Sequence, residues 1–189
     1  MKKRLRSEKL LERLNHHPAQ KSLQDDIIVK KILKLASFRK AKNILFYLPI
    51  HGEVDLCRLF ESVKSAKKFI LPKIRGNELD LHYIQKLDEV EEGVHTIPEP
   101  LKHLPKAGVA QIDLVLVPGI VFAENGHRIG FGKGFYDRLL KKTRAKKIGI
   151  AYQFQIVKNI AGEAHDVPMD MIVTDQKIIR VPKLKKRIP

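Results

Sequence analysis

The chain has one cysteine in 189 residues, Cys57, and no tryptophan. A single thiol excludes an intrachain disulfide and any C-x-x-C pair for zinc or redox chemistry. That usage fits a reducing compartment, and a cytoplasmic location is the expectation. Aromatic residues make up only 6% of the chain, which argues against a base-stacking platform for nucleic acid. No apolar run approaches the length of a membrane span. The start, Met1-Lys2-Lys3-Arg4-Leu5-Arg6, is basic, but Glu8 and Glu12 follow it instead of an apolar core, so no signal peptide is expected. Eight histidines are scattered without an H-E-x-x-H pair, and a structural zinc site is not expected.

Acidic residues are also scarce. Lys and Arg number 37 against 21 Asp and Glu, a net charge of +16. Such an excess suits nucleic acid bound through its phosphates or a site for polyanionic small molecules. The plainest reading for most of the lysines is a solvated surface. Many sit at the ends: Lys2, Lys3, Arg4 and Arg6 at one, Lys183, Lys185, Lys186 and Arg187 at the other. These clusters lack interleaved aromatics and lie at opposite termini, which favours the small-molecule reading.

Patterning predicts an α/β chain, a single domain over residues 1–189. Residues 2–15 read as a basic amphipathic helix with Leu5, Leu10, Leu11 and Leu14 as its apolar stripe. Ser22 and Asp25 resemble a capping box opening a second helix that runs to about Phe38. Residues 43–48 form a dense apolar run ended by Pro49, a buried strand. A helix is expected over 56–63, a strand over 69–71 closed by Pro72, and an alternating strand over 79–84. Residues 85–111 look mainly irregular. Further strands fall at 114–117, 147–151, 171–173 and 178–179, with helices near 135–142 and 154–160. Buried strands alternating with helices give a mostly parallel open sheet flanked by helices. Ligands in such sheets sit beyond the carboxyl ends of strands. Pro49 to Glu53, Pro72-Lys73 and Pro118 to Asp137 all lie just there.

The densest feature is Gly126-His127-Arg128-Ile129-Gly130-Phe131-Gly132-Lys133-Gly134-Phe135-Tyr136-Asp137-Arg138. It holds four of the chain's 11 glycines. Glycines permit positive φ and close approach of backbone N–H groups to a ligand, and inward-turned N–H groups make an anion-binding concavity. Arg128 and Lys133 add charge, and Asp137 suits a magnesium ion bridging phosphates. The spacing fits neither the dinucleotide fingerprint nor the Walker loop. A nucleotide-phosphate loop and a flexible surface turn both remain open on spacing alone.

Several segments, in order along nearly the whole chain, resemble the 5-formyltetrahydrofolate cyclo-ligase (methenyltetrahydrofolate synthetase) family. They are Lys2 to Arg6, Tyr47-Leu48-Pro49-x-x-Gly52-Glu53-Val54-Asp55, Leu71-Pro72-Lys73, the glycine block, Gly149-Ile150-Ala151-Tyr152-x-x-Gln155, His165-Asp166-x-Pro168-Met169-Asp170 and Val173-Thr174-Asp175. One departure is Phe135, where the family often has Tyr.

The resemblance implies a fold similar to the sugar-phosphate isomerase and CoA-transferase group. It also implies an ATP- and magnesium-dependent conversion of 5-formyltetrahydrofolate, with or without a polyglutamate tail, to 5,10-methenyltetrahydrofolate. The expected partners are small molecules, with a monomeric enzyme and neither membrane nor nucleic acid. Under it, ATP is bound by Lys2, Lys3, Arg4, Leu5 and Arg6 and by Arg128, Ile129, Gly130, Phe131, Gly132, Lys133, Gly134, Phe135 and Tyr136. Lys133, Arg128 and Tyr136 are the catalytic candidates. Ile50, Glu53, Asp55, Tyr136 and Tyr152 face the folate, Gln155 finishes the pocket wall, and Asp137 and Asp166 hold magnesium. Each has a plainer rival: a basic helix end for Lys2 and Arg6, a helix-start carboxylate for Asp137, a turn former for Asp166, a loop and helix cap for Glu53 and Asp55, and core packing for the tyrosines. A different nucleotide-dependent phosphotransferase would share the phosphate loop without needing Glu53.

Overall fold

A computed structural model describes residues 2–93 and 97–182. The basic cluster at 183–187 and His95 lie outside the described residues. The chain opens with helices α1 (Lys2–Leu14), α2 (Pro18–Lys34) and α3 (Ala36–Lys40), then strand β1 (Asn43–Leu45) and helix α4 (Cys57–Val63). A hairpin follows, β2 (Lys68–Arg75) and β3 (Glu78–Ile84), then short strands β4 (Val90–Glu92) and β5 (Pro98–Pro100). Next come β6 (Leu114–Val117), β7 (Val121–Ala123), β8 (Arg128–Ile129), helix α5 (Phe135–Lys142), β9 (Lys146–Ile150), β10 (Ile156–Val157), β11 (Met171–Val173) and β12 (Ile178–Arg180).

Seven strands form one sheet in the order β12-β11-β9-β6-β1-β2-β3. The five inner strands run parallel, and the two edges, β3 and β12, are antiparallel. Successive strand residues point to opposite faces, and the core divides accordingly. On one face Ile44, Leu114, Leu116, Ile148, Ile150, Met171 and Val173 pack with Ile28, Ile32, Phe38, Leu59 and Phe60. On the other, Leu45, Ile70, Val115, Val117 and Ile172 pack with Leu139 and Leu140 of α5. A second sheet, β10-β7-β8, carries the hairpin that feeds the glycine block.

Five expectations are corrected. The strand expected over 43–48 ends at Leu45. The second helix opens at Pro18, not at Ser22: Pro occupies the first turn, where its missing N–H costs nothing. It stops at Lys34, because Leu35 is extended (φ −67°, ψ 130°) before α3 begins. β2 continues through Pro72, since β1 pairs only with 68–70 and leaves that side of the strand unpaired beyond Ile70. In place of a helix over 154–160 there is a single 3₁₀ turn, Gln153–Gln155, followed by β10.

The α1 stripe is corrected as well. Leu5 and Leu10 pack against Ile120, Val121 and Ile129, but Leu11 and Leu14 are exposed. The inward face is the basic one. Lys2, Arg6, Lys9 and Arg13 recur at i, i+4, i+7 and i+11, one side of a 3.6-residue repeat, and Leu5 and Leu10 flank them.

Candidate active site

A cavity of about 590 Å³ opens beyond the carboxyl ends of β1 and β6. Its floor comes from the segments after those two strands, one wall from β2, β3 and β5, and the other from the glycine block and α1. The volume lies within the range of about 300–1,000 Å³ usual for small-molecule sites.

The glycine block supplies a curved wall of backbone. Gly132 (φ +96°) and Gly134 (φ +68°) take left-handed conformations on either side of Lys133. A Cβ at Gly134 would lie 2.9 Å from an Arg138 guanidinium nitrogen. Gly134 also caps α5, whose first-turn N–H groups have no helical partner. Among the described residues, the N–H groups of Gly130 to Gly134 donate to no backbone acceptor. Alternating backbone handedness with unsatisfied N–H groups beside a helix start is a geometry suited to an anion. Lys133 is exposed at the rim and forms no ion pair among the described residues.

α1 folds back onto this loop. Arg6 donates from Nε to the Gly130 carbonyl at 2.9 Å. Lys2 pairs with Glu163 at 2.7 Å and with Asp166 at 3.1 Å. Burial pushes the Asp166 carboxyl up, but the Glu163 N–H and the Lys2 ammonium outweigh it and hold the acid below its ordinary range. Arg128 is buried; its Nη1 lies 3.2 and 3.4 Å from the two Asp137 oxygens, and its Nε has no partner among the described residues. Ligand atoms of Glu163, His165 and Asp166 all fall within 4.8 Å of one another.

The Glu53 region of the cavity is buried and mostly apolar, and it adjoins the glycine block where the His51 and Phe131 ring centroids lie 5.8 Å apart. Glu53 is only 5% exposed, and burial drives its carboxyl up to about 7 against the opposing pull of Arg13 and the Ile50 N–H. The turn carrying it needs left-handed backbone at His51 (φ 49°) and Gly52 (φ 75°). Ile50, Leu48, Leu71 and Ile74 line the same region. The Tyr136 hydroxyl is buried without a partner among the described residues, and burial raises its pKa.

Most of the expected residues meet here. Lys2, Arg6, Ile50, Glu53, Arg128, Ile129, Gly130, Phe131, Gly132, Lys133, Gly134, Phe135, Tyr136, Asp137 and Asp166 all border the cavity. Lys3 and Arg4 are instead exposed, and Leu5 packs on Ile120 and Val121. Asp55 accepts the Cys57 N–H at 2.8 Å, a cap for α4. Tyr152 is fully buried behind the site and donates to Asp25 at 2.6 Å. Gln155 is buried too, and its Nε2 donates to the Gly119 and Ile120 carbonyls at 3.0 Å, bracing the turn after β6. Sequence reasoning missed Glu163, Glu99 and Arg13. Only Arg13 left a signal, as the last member of the basic repeat on α1.

An amide-lined loop with cationic charge and a buried carboxylate among apolar walls share one cavity, the kind of site that suits an enzyme for small molecules. The 5-formyltetrahydrofolate cyclo-ligase family profile matches residues 1–175, and the chain belongs to that family. It is 30% identical to the 5-formyltetrahydrofolate cyclo-ligase of Haemophilus influenzae over 86% of this chain and 89% of that one. It is 31% identical to the enzyme of Mycoplasma pneumoniae over 93% and 99% of the two chains. The solved structure of Aquifex aeolicus 5,10-methenyltetrahydrofolate synthetase superposes with a TM-score of 0.87 at 35% identity, covering 99% of this chain and 97% of that one.

Proposed function

We propose that this crevice closes 5-formyltetrahydrofolate to 5,10-methenyltetrahydrofolate at the expense of ATP, releasing ADP and phosphate. The single observation that carries the reading is that the glycine loop and Glu53 open onto one cavity, where a triphosphate and a reduced pterin can meet.

The formyl group on nitrogen 5 is an amide, and its carbon is a weak electrophile. Its oxygen attacks the γ-phosphorus; the new O–P bond replaces the bond to ADP. Nitrogen 10 then attacks the activated carbon, the C–O bond breaks, phosphate departs and nitrogen 10 loses its proton. No protein nucleophile is required. Catalysis is positioning plus charge stabilisation. Lys133 and the amides of 130–134 receive the transferring phosphoryl group, and Arg6 and Lys2 hold the flanking phosphates. Arg128 anchors Asp137 and stacks toward Tyr136, its guanidinium carbon 5.9 Å from the ring centroid. Glu53 accepts hydrogen bonds from the pterin N–H groups, while Ile50 and Tyr136 bound its flat face.

Magnesium, when bound, would neutralise charge on the phosphates. The carboxylates of Asp166 and Glu163 fit such an ion: they are oxygen donors lying close together, and they would hold it once Lys2, which pairs with both here, turns to the phosphates. Asp137, committed to Arg128, would act through water. Residues 1–189 serve as one catalytic domain in this reading. Among the described residues no helix is long and apolar enough to cross a membrane, and small-molecule substrates suffice for the site.

The test is direct. Purified protein mixed with 5-formyltetrahydrofolate, ATP and magnesium should generate the methenyl chromophore, and omission of ATP should abolish it. A Glu53→Ala variant that keeps its affinity for formylfolate would favour a different phosphotransferase.

A further inference from the structure

Arg13 has no part in the chemistry above, yet it is 1% exposed. A helix-end arginine needed only for solubility or loose packing keeps its tip in water. Burying a guanidinium costs several kcal/mol unless partners compensate. Here Nε donates to the His51 carbonyl at 2.9 Å and Nη1 to the Gly119 carbonyl at 3.0 Å. Nη1 also lies 3.7 Å from Glu53 Oε1, and Nη2 is buried with no partner among the described residues. One side chain therefore ties α1 to the turn after β1 and to the turn after β6. The approach is close: a Cβ on Gly52 would lie 2.8 Å from the Arg13 carbonyl oxygen.

We propose that Arg13 is a positioning residue for the folate end of the cavity: it touches neither substrate and acts through Glu53, fixing where that carboxylate meets the pterin. The inference rests on the reading of the site given above. Arg13 is the only cation within ion-pair distance of Glu53 among the described residues. Without it the buried carboxylate would hold its proton to higher pH and lose acceptor capacity. Lysine does not replace it, since one ammonium lacks the planar fork that serves two carbonyls and a carboxylate together.

The experiment uses the full chain with Arg13→Gln and Arg13→Lys, each in the native and the Glu53→Gln background. KM is measured separately for 5-formyltetrahydrofolate and for ATP, alongside thermal unfolding. Arg13→Gln should raise KM for formylfolate about tenfold or more and change KM for ATP less than about twofold. Arg13→Lys should shift it in the same direction by less. In the Glu53→Gln background the added Arg13→Gln change should move KM for formylfolate less than about twofold, the signature of action through Glu53. Equal rises in both KM values, or the same fold effect with and without Glu53, would overturn the inference. If neither variant folds, Arg13 is a packing residue and the inference is equally overturned. If the native enzyme makes no methenyl product, the reading of the site fails first, and that result is separable from the others.

Discussion

The two ends of the cavity handle charge in opposite ways. At the phosphate end, Phe131, Gly132 and Lys133 are exposed, and charges are held in ion pairs such as Lys2 with Asp166 and Arg128 with Asp137. The part-exposed Lys2 ammonium can exchange partners when a polyanion arrives at little cost in desolvation, whereas Arg128, paired with Asp137, is buried. At the folate end, Glu53 and Arg13 are already out of water, and the Tyr136 hydroxyl is unpartnered among the described residues. That end has been desolvated during folding, so its geometry must be fixed beforehand. Under the proposed function, this contrast would assign rate to the glycine-block side and substrate choice to the Glu53 side.

The largest effect that would break this division is at Lys133. Lys133→Ala should lower kcat/KM about 1,000-fold, the scale of losing one cation on a transferring phosphoryl group. Because the side chain is exposed and unpaired, the melting temperature should stay within about 2 °C. Steady-state kinetics beside a thermal melt reads both, and equal loss of activity and stability would remove the distinction between the ends.

Glu53→Gln should give a smaller loss with the opposite balance. KM for formylfolate should rise about 30-fold, the value of one charge-assisted hydrogen-bonding group, with ATP little affected. In the native enzyme KM should rise as pH falls through about 7, where the carboxyl takes up its proton, and the variant should be flat. Stability runs the other way. Between the ordinary carboxyl value and about 7 the folded chain binds the proton more tightly than the unfolded chain, so stability falls as pH rises across that window. Tyr47 and Tyr136, which face Glu53, are raised by burial and do not titrate there, and Arg13 stays charged. Glu53→Gln should therefore gain on the native protein from pH 5 to pH 8, by at most on the order of 3 kcal/mol. Denaturant melts at the two pH values would show no such gain if Glu53 were solvated.

The same contrast explains what could be read from sequence. The glycine block announces itself because local backbone needs dictate it: four glycines with basic residues between them are visible without any fold. The inner strands were legible because burial on both faces demands continuous apolar runs, as in Leu114 to Val117. Glu53 was legible only through resemblance, since a carboxylate after a turn is ordinarily a cap, and Asp55 is one. Arg13 left a trace only as the last member of the basic repeat on α1; its burial and its role were hidden, because its partners lie 38 and 106 residues away. The stripe on α1 misled for a related reason: leucines usually mark the buried face, but here that face meets a polar crevice and the basic residues turn inward. Glu163 was missed because an exposed acid beside Gly162 carries no local sign of the Lys2 that reaches it.

The smallest effect sharpens the comparison inside the phosphate end itself, between two glycines of the same block. Gly132 is left-handed, and an added Cβ would sit 3.5 Å from the Arg6 guanidinium. Gly132→Ala should cost about 1–2 kcal/mol from backbone strain. Gly130 has ordinary φ, and an added Cβ would meet nothing within 4 Å. Gly130→Ala should thus leave stability within about 0.5 kcal/mol. If Gly130 is glycine for the sake of a ligand, the loss must appear in KM for ATP alone. A Gly130→Ala enzyme with native stability and native KM for ATP would mean that the triphosphate does not approach the loop at that residue, and the phosphate cradle would have to begin at Gly132.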